Sequence, residues 1–425
     1  MMTTRASTTM IRLQNAILLA SVVRSAALRA VGALIWLIAL VPLASAAEPL
    51  DPALAYQAEK SSAVTYDVDL SVVVTPPYHT QLLKVWLPVP PSDAGQEATA
   101  PTFTTFPTEV QPQIAAEKLF GNRFAYFEFR DPQGAQIIRQ RFRVKVWQLR
   151  WNLTSENVRT VNAWPAAFDP YRRSESQAVQ VDDRFRKLLA EIVPQSTGPL
   201  GDLTAVMHWA SDRFQYDHHD ASLRADAARM LDKQRGHCSD YHGFCAAMGR
   251  AMGYPTRVTY GINPFPKNSP SHCKLEAFLP PHGWVSFDVS ETQQMVQRIR
   301  QDEKLSAADQ DRLAAAALDR LTHGFRDNAW FCLTRGTDYD LAPPASRKVP
   351  VVRTAYIEAD GQALPDPDPA DPRKREFAWM TIHKYTPDRK VTYPFQDLKS
   401  LNPEPSARQE PRPPDPPDPC PPSAF

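Results

Sequence analysis

Arg235-Gly236-His237-Cys238-Ser239-Asp240-Tyr241 is the stretch on which the fold turns, read with Ser271-His272-Cys273 and Gly283-Trp284-Val285-Ser286-Phe287-Asp288. It sets a cysteine at the mouth of a helix. His272 follows Cys238 by 34 residues, and Asp288 follows His272 by 16. A thiol, an imidazole and a carboxylate in that order are the parts of a nucleophile with an oriented base. The thiol must lose its proton to attack, and a helix start and a nearby imidazolium both favour the anion. Helix-start N–H groups also suit an oxyanion.

Periodicity works outward from that core. After Cys238 the apolar positions Tyr241, Phe244, Cys245, Met248 and Met252 form one helical stripe, ended by Gly253 and Pro255. Upstream, Leu203, Val206, Met207, Ala210 and Phe214 repeat at helical spacing, with Asp202 expected as N-cap. Arg257 to Tyr260 reads as a strand and residues 262–271 as a loop. Residues 272–279 and 282–289 flank Leu279-Pro280-Pro281. A hairpin centred on Pro280 would set His272 opposite Asp288, Lys274 opposite Ser286 and Glu276 opposite Trp284. A one-residue slip would send Asp288 to the other face.

Residues 61 to 150 follow a different rule. Val64, Tyr66, Val68, Leu70, Val72 and Val74 alternate with mostly polar positions, and Phe142, Val144 and Val146 alternate with Arg141, Arg143 and Lys145. Period-2 patterning means strands with one buried face. Leu83 to Leu87 and Phe124 to Phe129 add two more, which predicts a small antiparallel sandwich. Further on, Ser306 to Leu321 reads as a helix, and Val351 to Glu358 and Phe377 to Ile382 as strands, the first followed by an Asp360-Gly361 turn.

The expected organisation is therefore a leader over 1–46, a β-sandwich over 58–155, a catalytic α+β core over 178–295, a helix-plus-β extension over 296–398 and a Pro-rich tail over 399–425. In the leader, Arg24 and Arg29 precede an uncharged run from Ala30 to Leu43, and Ala44-Ser45-Ala46 has the form of a cleavage site. This predicts export to the periplasm or beyond, with no membrane span once the leader is removed. Among 425 residues the net charge is +1, which makes no electrostatic case for nucleic acid. The tail is mostly Pro, Asp, Glu, Arg and Ser, too polar to fold by itself.

Other chemistry-bearing residues have plainer readings. Cys245 lies on the apolar stripe, and Cys273, out of phase with His272, is expected in the core. Asp240 suits the helix dipole. His237 is assigned equally to the site and to the surface. Asp217-His218-His219-Asp220 reads as a solvated loop, because adjacent residues rarely converge on one ion. Trp284 reads as a packing residue. No metal and no cofactor is expected.

These motifs, with Arg250-Ala251-Met252-Gly253-Tyr254-Pro255-Thr256-Arg257-Val258 and His272-Cys273-Lys274-Leu275-Glu276-Ala277-Phe278-Leu279-Pro280, resemble the bacterial transglutaminase-like superfamily over residues 200 to 292. The resemblance implies a papain-like core in which Cys238 is the nucleophile, His272 the general base and Asp288 the residue that orients it. Members cross-link, deamidate or hydrolyse amides, and others have lost activity. The chain departs from the pattern at Lys274, where the family usually has Trp. Gln215 and Tyr216 are the candidates for an oxyanion side chain. The implied function is a thiol enzyme acting on a protein or peptide substrate through a thioester at Cys238, resolved by water or an amine. The alternatives are an inactive binding or scaffolding protein and a redox pair of Cys238 with Cys273.

Overall fold

The computed structural model describes residues 50–265, 271–366 and 377–401. The leader expected over 1–46 and most of the tail lie outside these residues. Leu398–Leu401 form a short 3-10 turn whose Leu401 is buried.

The alternating segments form a sandwich. In one sheet β1 (Glu59–Val74) lies between β7 (Gln136–Arg150) and β17 (Ala378–Pro387), with β3 (Gln96–Ala98), β4 (Thr102–Phe106) and β13 (Phe325–Arg326) also on β7. Val64, Tyr66, Val68, Leu70, Val72 and Val74 are buried, as period 2 requires. On the opposite face Asp67 receives the Arg143 guanidinium at 2.8 Å and Asp69 receives Arg139 at 2.7 Å. The second sheet runs β16 (Gln362–Ala363), β15 (Tyr356–Ala359), β2 (Leu82–Val89), β6 (Arg123–Arg130), β5 (Gln113–Ala116). Val85, Leu87, Phe127 and Ile357 pack against the inner face of the first.

Two expectations about the later strands are corrected. The strand expected over Val351 to Glu358 begins only at Tyr356. At Val352 the backbone bonds side chains instead of a ladder: its N–H donates to Tyr339 Oη and its carbonyl accepts from Thr334 Oγ1. The strand expected over Phe377 to Ile382 extends to Pro387. The Asp360-Gly361 turn is present, with both residues at positive φ.

The α+β core places helices on a third antiparallel sheet. Its order is β12 (Trp284–Phe287), β11 (Ser271–Phe278), β10 (Thr256–Ile262), β14 (Phe331–Arg335). Around it lie α1 (Asp183–Ile192), α2 (Pro199–Arg213), α3 (Ala227–Lys233), α4 (Cys238–Ala251), α5 (Val289–Gln301) and α6 (Ala307–His323). Helix α4 packs on β10 and β11 and is buried from Cys238 through Arg250. That burial explains why its sequence is nearly free of charge. Gly253, at φ 86°, ends the helix as expected. Helix α2 starts earlier than expected, at Pro199 with Gly198 as N-cap; Asp202 lies inside it and accepts from Thr197 N at 2.8 Å and Ser196 Oγ at 2.6 Å.

The β11–β12 register differs from the expected one. Glu276 faces Ser286 instead of Trp284, and Leu275 faces Phe287, so the pairing is displaced by two residues. The turn closes through Leu279 N to Gly283 O at 2.9 Å, with Gly283 taking the positive φ of 67° that proline cannot adopt. A shift of two preserves the face of every side chain, so His272 still reaches Asp288, diagonally, and Lys274 stands nearest across the ladder. Among the described residues no helix is long and apolar enough to cross a membrane.

Candidate active site

Cys238 is the first residue of α4, and His237 is its N-cap. A capping box fixes this start: Asp240 accepts from His237 N at 3.1 Å, and Ser239 N approaches His237 Nδ1 at 3.5 Å. Asp240 also accepts from Ser222 N at 3.1 Å and from the Ser222 hydroxyl. The need for glycine before it is steric: a Cβ on Gly236 would lie 2.6 Å from Asp240 Oδ2. The sulfur of Cys238 lies 3.2 Å from His237 Nδ1 and 3.4 Å from Nε2. His237 is thus a residue of the site.

His272 enters from the start of β11. Its Nε2 meets Asp288 Oδ2 at 2.6 Å. Asp288 is held on every side. Lys274 Nζ donates to Oδ2 at 2.7 Å, and Oδ1 accepts from Glu291 N at 3.0 Å and Ser290 Oγ at 3.3 Å, making Asp288 the N-cap of α5. Lys274 reaches a second carboxylate, Asp327, at 2.9 Å, and its ammonium lies 5.3 Å from the Trp330 ring and 5.0 Å from that of Phe395. Trp330 in turn donates to the His272 carbonyl at 3.1 Å.

Electrostatics follows from these contacts. Burial opposes charge on Asp288, but the Lys274 ammonium and the His272 imidazole outweigh it and hold the carboxyl well below its usual range. Burial likewise disfavours an imidazolium at His272, but Asp288, Glu291 and Cys238 carry it up to about 10. Burial resists a thiolate at Cys238; a hydrogen bond from Cys273 and the His237 and His272 imidazoles reverse this and hold the thiol well below its ordinary value. Cys245, whose shift comes from burial alone, is pushed up and is inert core, as expected.

The remaining expectations sort as follows. Tyr216 borders the site, with its ring 5.8 Å from that of His237. Gln215 turns outward to Arg235 at 2.6 Å and is no oxyanion candidate. In the Asp217–Asp220 segment, Asp217 Oδ1 accepts from His219 N at 2.8 Å and Asp220 N at 3.2 Å, the geometry of a self-bonded loop. Trp284 packs beneath the Arg257 guanidinium at 3.9 Å. Cys273 is buried as expected but faces α4, where its sulfur contacts His242 Nδ1 at 3.4 Å. His242 itself was overlooked, although its spacing of four from Cys238 places both on one helix face. The partnership of Lys274 with Asp327 had no local signal, since 53 residues separate them.

His272, Asp288 and Glu291 bring ligand atoms within 4.8 Å of one another, a spacing a cation could use. The Lys274 ammonium already supplies positive charge at Asp288, and a second cation beside it would be repelled. The trio is read as a charged hydrogen-bonding cluster.

Residues 186–289 match the family model described as the transglutaminase-like superfamily. An uncharacterized protein of Haemophilus influenzae is 24% identical over 232 residues, which cover 48% of this chain; the chain spans 60% of that relative's length. The fold is similar to that of a candidate cysteine protease from Cytophaga hutchinsonii, with a TM-score of 0.54 at 15% identity over 81% of this chain and 98% of that one. A looser likeness, with a TM-score of 0.29 at 16% identity, covers 60% of this chain and 97% of the periplasmic domain of TgpA from Pseudomonas aeruginosa.

Proposed function

We propose, on the premise that residues 186–289 belong to the transglutaminase-like superfamily, that this chain is a cysteine-type acyl-transfer enzyme acting on a peptide or carboxamide. The observation that carries the reading is the His272–Asp288 contact at 2.6 Å beside a cysteine at the start of a buried helix. The Cys238 thiolate attacks the carbonyl carbon, and the new oxyanion lies toward the N–H groups of the α4 start. His272 gives its proton to the leaving amine as the C–N bond breaks, and a thioester remains on Sγ. A water then attacks the thioester, giving one proton to His272, and the C–S bond breaks to release a carboxylic acid and restore the Cys238 thiolate. Water is placed ahead of an amine because Cys238 and His272 are almost wholly covered, with exposures of 1% and 2%, and water is the smaller acceptor. The run from Ala30 to Leu43 and the Ala44-Ser45-Ala46 site support export before cleavage near Ala46.

The same burial, with Lys274 on the orienting carboxylate, favours a second reading: an inactive scaffold that binds a partner. Alkylation of Cys238 by iodoacetamide as a function of pH separates the two. Fast labelling at pH 6, abolished in Cys238→Ala and slowed in His272→Ala, supports the enzyme. Labelling that rises only near the ordinary thiol pKa of about 8.5 and ignores His272 rejects it in favour of the scaffold.

A further inference from the structure

The hydrogen-bond accounting around Cys273 leads to one conclusion beyond the triad. Val289 N, at the start of α5, donates to His242 Nε2 at 3.1 Å. That nitrogen therefore carries a lone pair, and burial drives His242 down to about 4, so the ring is neutral and its single proton sits on Nδ1. Nδ1 lies 3.4 Å from Cys273 Sγ, so the imidazole donates and the sulfur accepts. The Cys273 proton must then point elsewhere. Cys273 and Tyr260 pair across β11 and β10 on the face covered by α4, and Cys238 lies one helical turn before His242 on that helix. Cys273 thus faces the turn of α4 that carries both His242 and Cys238, and its thiol is coupled to that of Cys238.

We propose that His242 and Cys273 are positioning residues of the site, forming a donor chain from His242 Nδ1–H to Cys273 Sγ and from Cys273 S–H to Cys238 Sγ that holds Cys238 as the thiolate. This rests on the reading of Cys238 as nucleophile. The chain runs in one direction only, because the Val289 N–H fixes the imidazole tautomer. It also assigns the two sulfurs different states: Cys238 as the anion and Cys273 as the thiol. The titratable groups electrostatically coupled to Cys238 are His237 from the cap, which also contacts its sulfur, His242 from α4, Tyr216 from β8 (Gln215–Tyr216), Tyr260 from β10, and His272 and Cys273 from β11. Cys273 is the one whose proton the accounting leaves to Cys238.

The test is the pH profile of Cys238 alkylation by iodoacetamide in the purified full chain, followed by mass spectrometry of the Cys238 and Cys273 peptides. In Cys273→Ala the midpoint should rise by about one pH unit, a roughly tenfold loss of rate at pH 6, for one charge-assisted hydrogen bond. Cys273→Ser retains a donor and should keep the wild-type midpoint or lower it, and His242→Leu should shift the profile in the direction of Cys273→Ala. A Cys273→Ala profile that overlies the wild type overturns the donor chain while leaving the triad intact. Should the alanine variant not fold, a raised midpoint in Cys273→Ser overturns it equally. A wild-type midpoint near 8.5 that is insensitive to His272→Ala removes the nucleophile reading itself, and with it this one.

Discussion

Lys274 Nζ lies 2.7 Å from Asp288 Oδ2, the same oxygen that His272 Nε2 meets at 2.6 Å. The Asp288 carboxylate is thus shared between an imidazole and a fully buried ammonium, and a second carboxylate, Asp327, balances that ammonium from its other side. With Glu291 beside His272, three carboxylates surround one lysine and one histidine, and protonation of His272 reduces the cluster's excess of negative charge.

Removing the ammonium should be costly. Lys274→Met leaves Asp288 and Asp327 buried with less compensation, a loss of about 3–5 kcal/mol by the usual penalty for breaking a buried pair. Lys274→Met combined with Asp327→Asn should recover a large part of it, because the second uncompensated charge is gone. Chemical denaturation of the two variants checks this, and a single variant within about 1 kcal/mol of wild type would show that the lysine bears little of the cluster's balance.

Asp288→Asn separates capping from charge. Asparagine remains a good N-cap for α5, so the helix start survives. His272 loses its main anionic neighbour, its pKa falls, and the imidazolium that supports the Cys238 thiolate is depleted. Iodoacetamide labelling at pH 6 should slow by about tenfold or more, with far-UV circular dichroism unchanged.

Stability should be greatest between about pH 6.5 and 8.5, where the raised His272 and the depressed Cys238 offset one another, and fall on both sides. His242 is depressed to about 4 in the folded chain from 6.5, so its contribution is present above 6.5 and is lost as pH falls toward 4. At about 1.4 kcal/mol per unit this acid limb is worth roughly 3 kcal/mol. His272 is raised to about 10, so its contribution is full below 6.5 and is lost as pH rises through 10. Melting temperatures between pH 4 and 10 test both limbs, and a curve that rises or falls monotonically contradicts the pair.

Gly243 faces the loop that feeds the cap of α4. A Cβ there would lie 2.5 Å from the Ala225 carbonyl oxygen, backbone that cannot swing away. Gly243→Ala should destabilise by about 1–3 kcal/mol through overpacking. Because Ser222, which bonds Asp240, sits in the same loop, labelling of Cys238 should lose rate at neutral pH as well. An unchanged melting temperature would show that the loop yields freely.

Much of this protein was legible along the chain. The alternation from Val64 to Val74 specifies a half-buried strand because side-chain direction repeats every two residues, and the Cys238–Met252 stripe specifies a helix on a sheet because it repeats every 3.6. Helix ends also read locally: Gly253 stands just past α4 as expected, and the helix expected from Ser306 begins at Ala307 with Ser306 as its cap. The strand expected from Val351 starts only at Tyr356 because the backbone of Val352 bonds to Tyr339 and Thr334, partners no local pattern announces. Asp202 failed as a cap because Pro199, three residues earlier, starts the helix just as well.

By itself, the sequence determined which residues are chemically able to form the site, Cys238, His272 and Asp288, and that the last two share a strand face, since face is a matter of parity and survives a register shift of two. Tertiary structure alone decided the rest. It set Lys274 between Asp288 and Asp327, turned Cys273 toward His242 on α4, and brought His242 under the start of α5. Each of these joins elements that are distant in the chain, and the energy of a buried charge or hydrogen bond depends on what surrounds it in space, which local spacing does not encode.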